Sequence, residues 1–374
     1  MNLNYFFSGA SPLTHEESEK KRKLGFEAID EERWEDAIKH FDEAIWECRS
    51  DLDYIYSYRG LAHSHLGNFE QAIDDSNRAK QMWPDNWVIL ANRAEVLTHA
   101  EKYGAAIHDF TKAMELDVDN PYLFIARGNV YAEFQNWEKA IPDLVKAVNL
   151  QPEIPYYWYS LGMAQHNSDD HKNAVKSYSR AIELHDDASI YFFMRGWSYG
   201  ILGKYKNAIK DYSTAIELDP TDEDIYFRRG MAFMSTGQND EAYADFDECI
   251  ELDPIGVMYS EVANVYSEFG EHEKAIEYLT EAISQDECSI YYQGRGNAYY
   301  AIGKFRKSLT DFNKAGKIED MSDSPGFYRD RGFTHNELGN VKKAIADYTK
   351  AIELDPEFAD ELQPIIDDLN TETP

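Results

Sequence analysis

The chain has 374 residues, 43% of them apolar and 14% aromatic, with 37 basic against 69 acidic residues and a net charge of −32. That much apolar surface supports continuous burial and excludes a disordered chain. So negative a surface repels phosphate, which excludes direct nucleic-acid binding, and attracts basic partners.

The first residues lack a basic leader joined to an apolar core, and no apolar run approaches the roughly 20 residues of a membrane span. Cys48, Cys249 and Cys288 lie far apart and make neither a disulfide framework nor a zinc spacing. The expectation is a cytoplasmic, reducing location with no membrane contact. Residues 1–17 form an extension whose Tyr5, Phe6 and Phe7 would fold onto the adjoining helices or enter a groove in a neighbouring molecule. The basic run Lys20-Lys21-Arg22-Lys23 has the look of a targeting cluster, but the solvated face of a first helix is the better reading.

From residue 18 to 356 one pattern recurs ten times, with starts near 18, 53, 87, 121, 155, 189, 223, 256, 289 and 325. The unit Ser189–Pro220 shows it whole: two amphipathic helices separated by a turn at Gly203-Lys204. Numbered within a unit, position 8 is small (Gly25, Gly60, Ala94, Gly128, Gly162, Gly196, Gly230, Ala263, Gly296, Gly332), and so are positions 20 and 27. A bulky residue, usually aromatic, stands between the last two, as in Phe41, Phe110, Tyr178, Tyr212, Phe246, Phe312 and Tyr348. Small residues at these points let two helices approach closely. Proline closes many units, at Pro84, Pro152, Pro220, Pro254 and Pro356, where a helix cannot continue.

This register resembles the tetratricopeptide repeat (TPR). The resemblance implies an all-α, right-handed superhelical solenoid of antiparallel helix pairs, in which each first helix lines a concave groove and each second helix lies outside. It also implies binding of peptides or protein surfaces, without catalysis and without a cofactor. No phosphate loop, nucleophile elbow or HExxH pair is present in the sequence.

Position 7 is Arg in seven units (Arg59, Arg93, Arg127, Arg195, Arg229, Arg295, Arg331), and position 23 is Asp in the same seven (Asp75, Asp109, Asp143, Asp211, Asp245, Asp311, Asp347). The other three units lack both, carrying Leu24 with His40, Leu161 with Ser177 and Val262 with Tyr278. Because an uncompensated buried charge is costly, partners appear and vanish together, and we expect an ion pair joining the two helices of one repeat.

In the resembling family, positions 2, 5, 6, 9, 12 and 13 face the groove. In the fifth to seventh units these give the candidate partner-binding set: Tyr156, Tyr159, Met163, Ile190, Phe193, Met194, Trp197, Phe227, Met231 and Met234. Groove acids Glu95, Glu133 and Asp224 would select positive charge, so the expected ligand is apolar with basic residues. A row of His65, His99 and Glu133 at position 13 reads as polar groove lining rather than a metal site. Asn92 and Asn129 match single places of the clamp by which some TPR co-chaperones grip acidic tails, but no complete clamp is present. The leading reading is an interaction scaffold. A second is an acidic inhibitor or chaperone masking a basic protein, and a third is self-association through the end repeats.

The connector 317–326 and the 33-residue steps near it suggest a soft joint within one continuous domain. After Pro356, Phe358, Leu362, Ile365, Ile366 and Leu369 share one helical face, which predicts a capping helix and tail over 357–374, bent by Pro364.

Overall fold

The computed structural model describes residues 15–45 and 52–372. The N-terminal aromatics Tyr5, Phe6 and Phe7, and Cys48, lie outside the described residues. Among the described residues there are helices and no strands. They run α1 (His15–Asp30), α2 (Trp34–Ile45), α3 (Leu52–His65), α4 (Phe69–Met82), α5 (Trp87–His99), α6 (Tyr103–Leu116), α7 (Pro121–Glu133), α8 (Trp137–Leu150), α9 (Pro155–Asn167), α10 (His171–Leu184) and α11 (Ser189–Ile201). They continue as α12 (Tyr205–Leu218), α13 (Glu223–Thr236), α14 (Asn239–Leu252), α15 (Gly256–Glu268), α16 (His272–Gln285), α17 (Ser289–Ala301), α18 (Phe305–Ile318), α19 (Pro325–Glu337), α20 (Val341–Leu354) and α21 (Ala359–Glu372). The chain divides into two compact units, residues 1–202 and 203–374.

Within each unit an odd-numbered helix packs against the next even-numbered helix. Small residues make this possible. A Cβ added at Gly162 would stand 2.6 Å from the Tyr178 ring, and one at Gly230 equally close to Phe246. Those rings, with Phe41, Phe110, Phe312 and Tyr348, are almost wholly buried. Burial of each side chain contributes about 1.5–3 kcal/mol relative to leaving it exposed. Cys249 takes the place of the third small residue; it is fully buried, which pushes its thiol up to about 12.

The turn inside each pair needs one residue in the left-handed region. In the second unit all five are glycine (Gly203, Gly237, Gly270, Gly303, Gly339). In the first unit only Gly67 is, and Glu32, Glu101, Gln135 and Asp169 adopt φ of 55–63°. Helix starts are fixed by side-chain caps such as Asn86 on the Val88 and Ile89 amides and Asp222 on the Asp224 amide.

The arginine of position 7 spans two helix pairs. Arg59 Nε and Nη2 donate to Asp75 at 2.6 and 2.7 Å, Arg229 to Asp245 at 2.8 and 2.7 Å, and Arg295 to Asp311 at 2.8 and 2.9 Å. Arg127 and Arg331 make the same two-point pair with Asp143 and Asp347, whereas Arg93 donates to Asp109 through Nη1. The guanidinium also reaches position 25 of the preceding pair, donating to Asp42, Asn77, Thr111, Ser179, Ser213 and Thr280 from Arg59, Arg93, Arg127, Arg195, Arg229 and Arg295. The ion pairs within one repeat are those expected from the sequence. The second reach, to the helix before, was not foreseen.

The basic run near the start lies on α1, where Lys21 pairs with Glu43 at 2.5 Å and Lys23 with Glu27 at 3.9 Å. At the far end α21 continues through Pro364 and buries Leu362, Ile366 and Leu369 against Ala344, Tyr348 and Ala351 of α20. No helix among the described residues is long and apolar enough to cross a membrane.

Candidate functional site

In the first unit, the odd-numbered helices from α3 to α9 present a row of hydrogen bonds from one helix to the next. Asn92 Nδ2 donates to Ser57 Oγ at 3.1 Å, the Tyr122 hydroxyl donates to Glu95, and Asn129 Nδ2 donates to the Tyr156 hydroxyl at 3.0 Å. The two asparagines that match a clamp are therefore engaged by their own neighbours. Burial holds the Glu95 carboxyl above the ordinary carboxylate range, and the Tyr122 hydroxyl only partly offsets it.

A cleft of about 330 Å³ opens between α7 and α9. Tyr156, Tyr159 and Met163 form one wall; Asn129 and Glu133 line the other, and Trp137, first residue of α8, leans over the end. Tyr156 is 50% exposed. Partial desolvation raises the Glu133 carboxyl above its usual range. The cleft therefore offers aromatic and thioether walls beside a carboxylate at the rim, a combination suited to an apolar side chain with a cation next to it.

The other candidate residues divide by exposure. Ile190 is exposed and Trp197 half-buried in the first unit, while Phe227 and Met231 are half-buried in the second. Phe193, Met194 and Met234 correct the sequence reading: they are only 7%, 8% and 4% exposed. Met234 belongs to the core around Phe246 and Tyr266, and Phe193 lies against the Trp197 ring at 6.1 Å. Sequence spacing marks a helical face, but a large side chain on it turns inward wherever its neighbours leave room.

His65 and His99 do meet, with rings 4.7 Å apart, and Trp34 stacks on His65 at 3.9 Å. Partial desolvation lowers both histidines although each stays exposed, and the neighbouring His99 lowers His65 further, which favours the neutral rings. They do not gather Glu133: among the described residues no three His, Cys, Asp or Glu side chains group to hold a metal ion. Trp34 and Trp137 were missed as groove residues. Both are position 17, where Phe69, Tyr103, Tyr205 and Phe305 also stand, so a column of aromatics at the start of the second helix was the available signal.

Models of the TPR and tetratricopeptide repeat match residues 125–189, 196–237, 223–255, 257–287 and 327–358. The chain belongs to the tetratricopeptide repeat family. Over 80 residues this TPR protein is 30% identical to an Hsp70-Hsp90 organising protein of Plasmodium falciparum. That match covers 20% of the chain and 31% of the relative, so the chain spans about a third of that protein's length. Among solved structures, a tetratricopeptide repeat protein from Parabacteroides merdae aligns with 66% of the chain and 98% of its own, at a TM-score of 0.50 and 22% identity. The Pseudomonas aeruginosa pilF structure aligns with 57% of the chain and 97% of its own, at a TM-score of 0.50 and 19% identity. At such identities these two show the fold alone, an all-α solenoid of helix pairs.

Proposed function

We propose that this TPR protein is an interaction scaffold that holds a short apolar segment carrying a basic residue in the cleft between α7 and α9. The carrying observation is that cleft itself, where the half-exposed Tyr156, with Tyr159 and Met163, faces the Glu133 carboxylate across about 330 Å³. A relative named as an organising protein for Hsp70 and Hsp90 supports a role in bringing proteins together. The groove acids Glu95 and Glu133 argue for a basic ligand and against an acidic tail. Ile190 and Trp197 in the first unit, and Phe227 and Met231 in the second, are further candidate contacts.

The test is fluorescence polarisation with matched 15-residue peptides that are apolar and basic, apolar and neutral, or acidic at the C-terminus. The apolar and basic peptide binds best. A Tyr156→Ala, Met163→Ala double variant, folded by circular dichroism, weakens it at least tenfold, about 1.4 kcal/mol. Tightest binding of the acidic peptide, or unchanged affinity of the double variant, sinks the reading.

The net charge of −32 favours a second reading, in which the protein masks a basic partner mainly by charge. Raising salt separates the two, because charge masking fades steeply while apolar anchoring persists.

A further inference from the structure

Two helix pairs past the first lack the position 7 arginine, and they handle its loss differently. In the pair α9/α10 the polar partners of the guanidinium have gone, although an aromatic ring, Trp158, still stands at position 4. Leu161 and Ser177 replace Arg and Asp, and position 25 of the preceding pair is Val145. Ser177 instead donates to Gln165 at 2.7 Å. In the pair α15/α16 the arginine has gone but its surroundings remain. Val262 and Tyr278 replace Arg and Asp, yet position 25 of the preceding pair is Asp247, a carboxylate where Asp42, Asn77, Thr111, Ser179, Ser213 and Thr280 elsewhere accept a guanidinium.

The ring that lies under the guanidinium also remains. Position 4 is aromatic beside Arg59, Arg229, Arg295 and Arg331, with Tyr56, Tyr226, Tyr292 and Tyr328 at 5.4 to 5.8 Å from the guanidinium carbon. In the pair α15/α16 that position is Tyr259. A cleft of about 490 Å³ lies there, lined by Asp247, Ile250, Tyr259, Lys274, Glu277, Tyr278 and Glu281. Tyr278 donates its hydroxyl to Asp247 at 2.7 Å, and its ring stands 6.1 Å from that of Tyr259. The ammonium of Lys274 is drawn aside over the Tyr243 ring at 3.5 Å. Behind them Tyr266 is fully buried, with its ring 5.2 Å from that of Tyr278.

We propose that this cleft between α14, α15 and α16 is a socket for an arginine side chain presented by a partner protein. The guanidinium would donate to Asp247 and lie against Tyr259, as the chain's own arginines do in the repeats that keep them. Arginine rather than lysine is the expected ligand, because a planar guanidinium can stack on a ring while its N–H groups reach a carboxylate at the ring's edge. The site is separate from the cleft between α7 and α9 and does not depend on it.

The test uses N-acetyl-arginine amide as probe in saturation-transfer NMR with the full chain, against N-acetyl-lysine amide and the neutral N-acetyl-citrulline amide. The arginine probe should give at least a fivefold stronger response than either control. Asp247→Asn should reduce it at least fivefold, whereas Glu217→Gln, which removes an equal charge from the exposed face of α12, should leave it unchanged. The double variant Val262→Arg, Tyr278→Asp restores the repeat's own arginine and aspartate and should block the probe. Equal responses to arginine and lysine, equal loss in Asp247→Asn and Glu217→Gln, no response to any probe, or full response in the folded double variant would each overturn the socket. If the double variant fails to fold, the comparison of Asp247→Asn with Glu217→Gln decides alone.

Discussion

The first unit and the second contain the same helix pair with different solutions to the same gap. Where α9/α10 lost its arginine, Leu161, Ser177 and Val145 leave no carboxylate at position 7, 23 or 25. Where α15/α16 lost it, Asp247 and Tyr259 stayed and a cleft remained. For Arg59, Arg93, Arg127, Arg229 and Arg295 the guanidinium is held by Asp on its own pair and by position 25 of the pair before, so it fastens neighbours as well as partners. Removing such a tie is tolerable only when the buried acceptor goes with it, since an unpaired buried charge is strongly destabilising. Asp247 escapes that penalty because it is exposed and takes the Tyr278 hydroxyl.

Putting arginine back into both pairs would break or sharpen this contrast most. Leu161→Arg forces a guanidinium into a site with no carboxylate at position 23 or 25, and should lower stability by about 3–5 kcal/mol. Val262→Arg finds Asp247 and Tyr259 waiting and should be several kcal/mol less damaging. Urea denaturation of the two variants measures the difference; equal losses would mean that Asp247 is not placed as an arginine acceptor.

A second contrast concerns the turns. Four of the first unit's five left-handed turn residues carry side chains, whereas all five in the second unit are glycine. Glu101→Gly should therefore stabilise the first unit by about 1 kcal/mol, seen as a higher melting temperature. No gain would show that the turn is relaxed in spite of its φ of 57°.

The smallest effect expected is that of Glu95. Its carboxyl is raised in the folded chain by burial, so the folded state binds a proton more tightly than the unfolded one. Ionised Glu95 thus costs stability at neutral pH, and the cost is relieved as pH falls through the raised value toward the ordinary carboxylate range. Relative to Glu95→Gln, the wild-type chain should gain stability over that window in a pH series of thermal melts. A parallel course for both proteins would contradict the burial of this carboxyl.

The helix pairs were legible in the sequence because backbone packing at close approach admits only small side chains. Gly162 faces Tyr178 and Gly230 faces Phe246 with no space for a Cβ, and the same position is glycine or alanine in every repeat. The ion pairs were legible for a related reason: an unmatched buried charge is costly enough that Arg and Asp came and went together. Exposure on the groove was not legible. Phe193, Met194 and Met234 occupy positions that spacing assigns to the groove, yet they are buried, while Tyr156 and Met163 help to line a cleft. Nor did periodicity show that the guanidinium reaches the preceding pair, or that Asp247 stands without an arginine to accept. The sequence by itself determined which residues could pack and which charges had to match, because those rules act within one repeat. Only the tertiary structure decided which apolar side chains stayed accessible and which acceptor lacked its arginine, because both depend on how one helix pair meets the next.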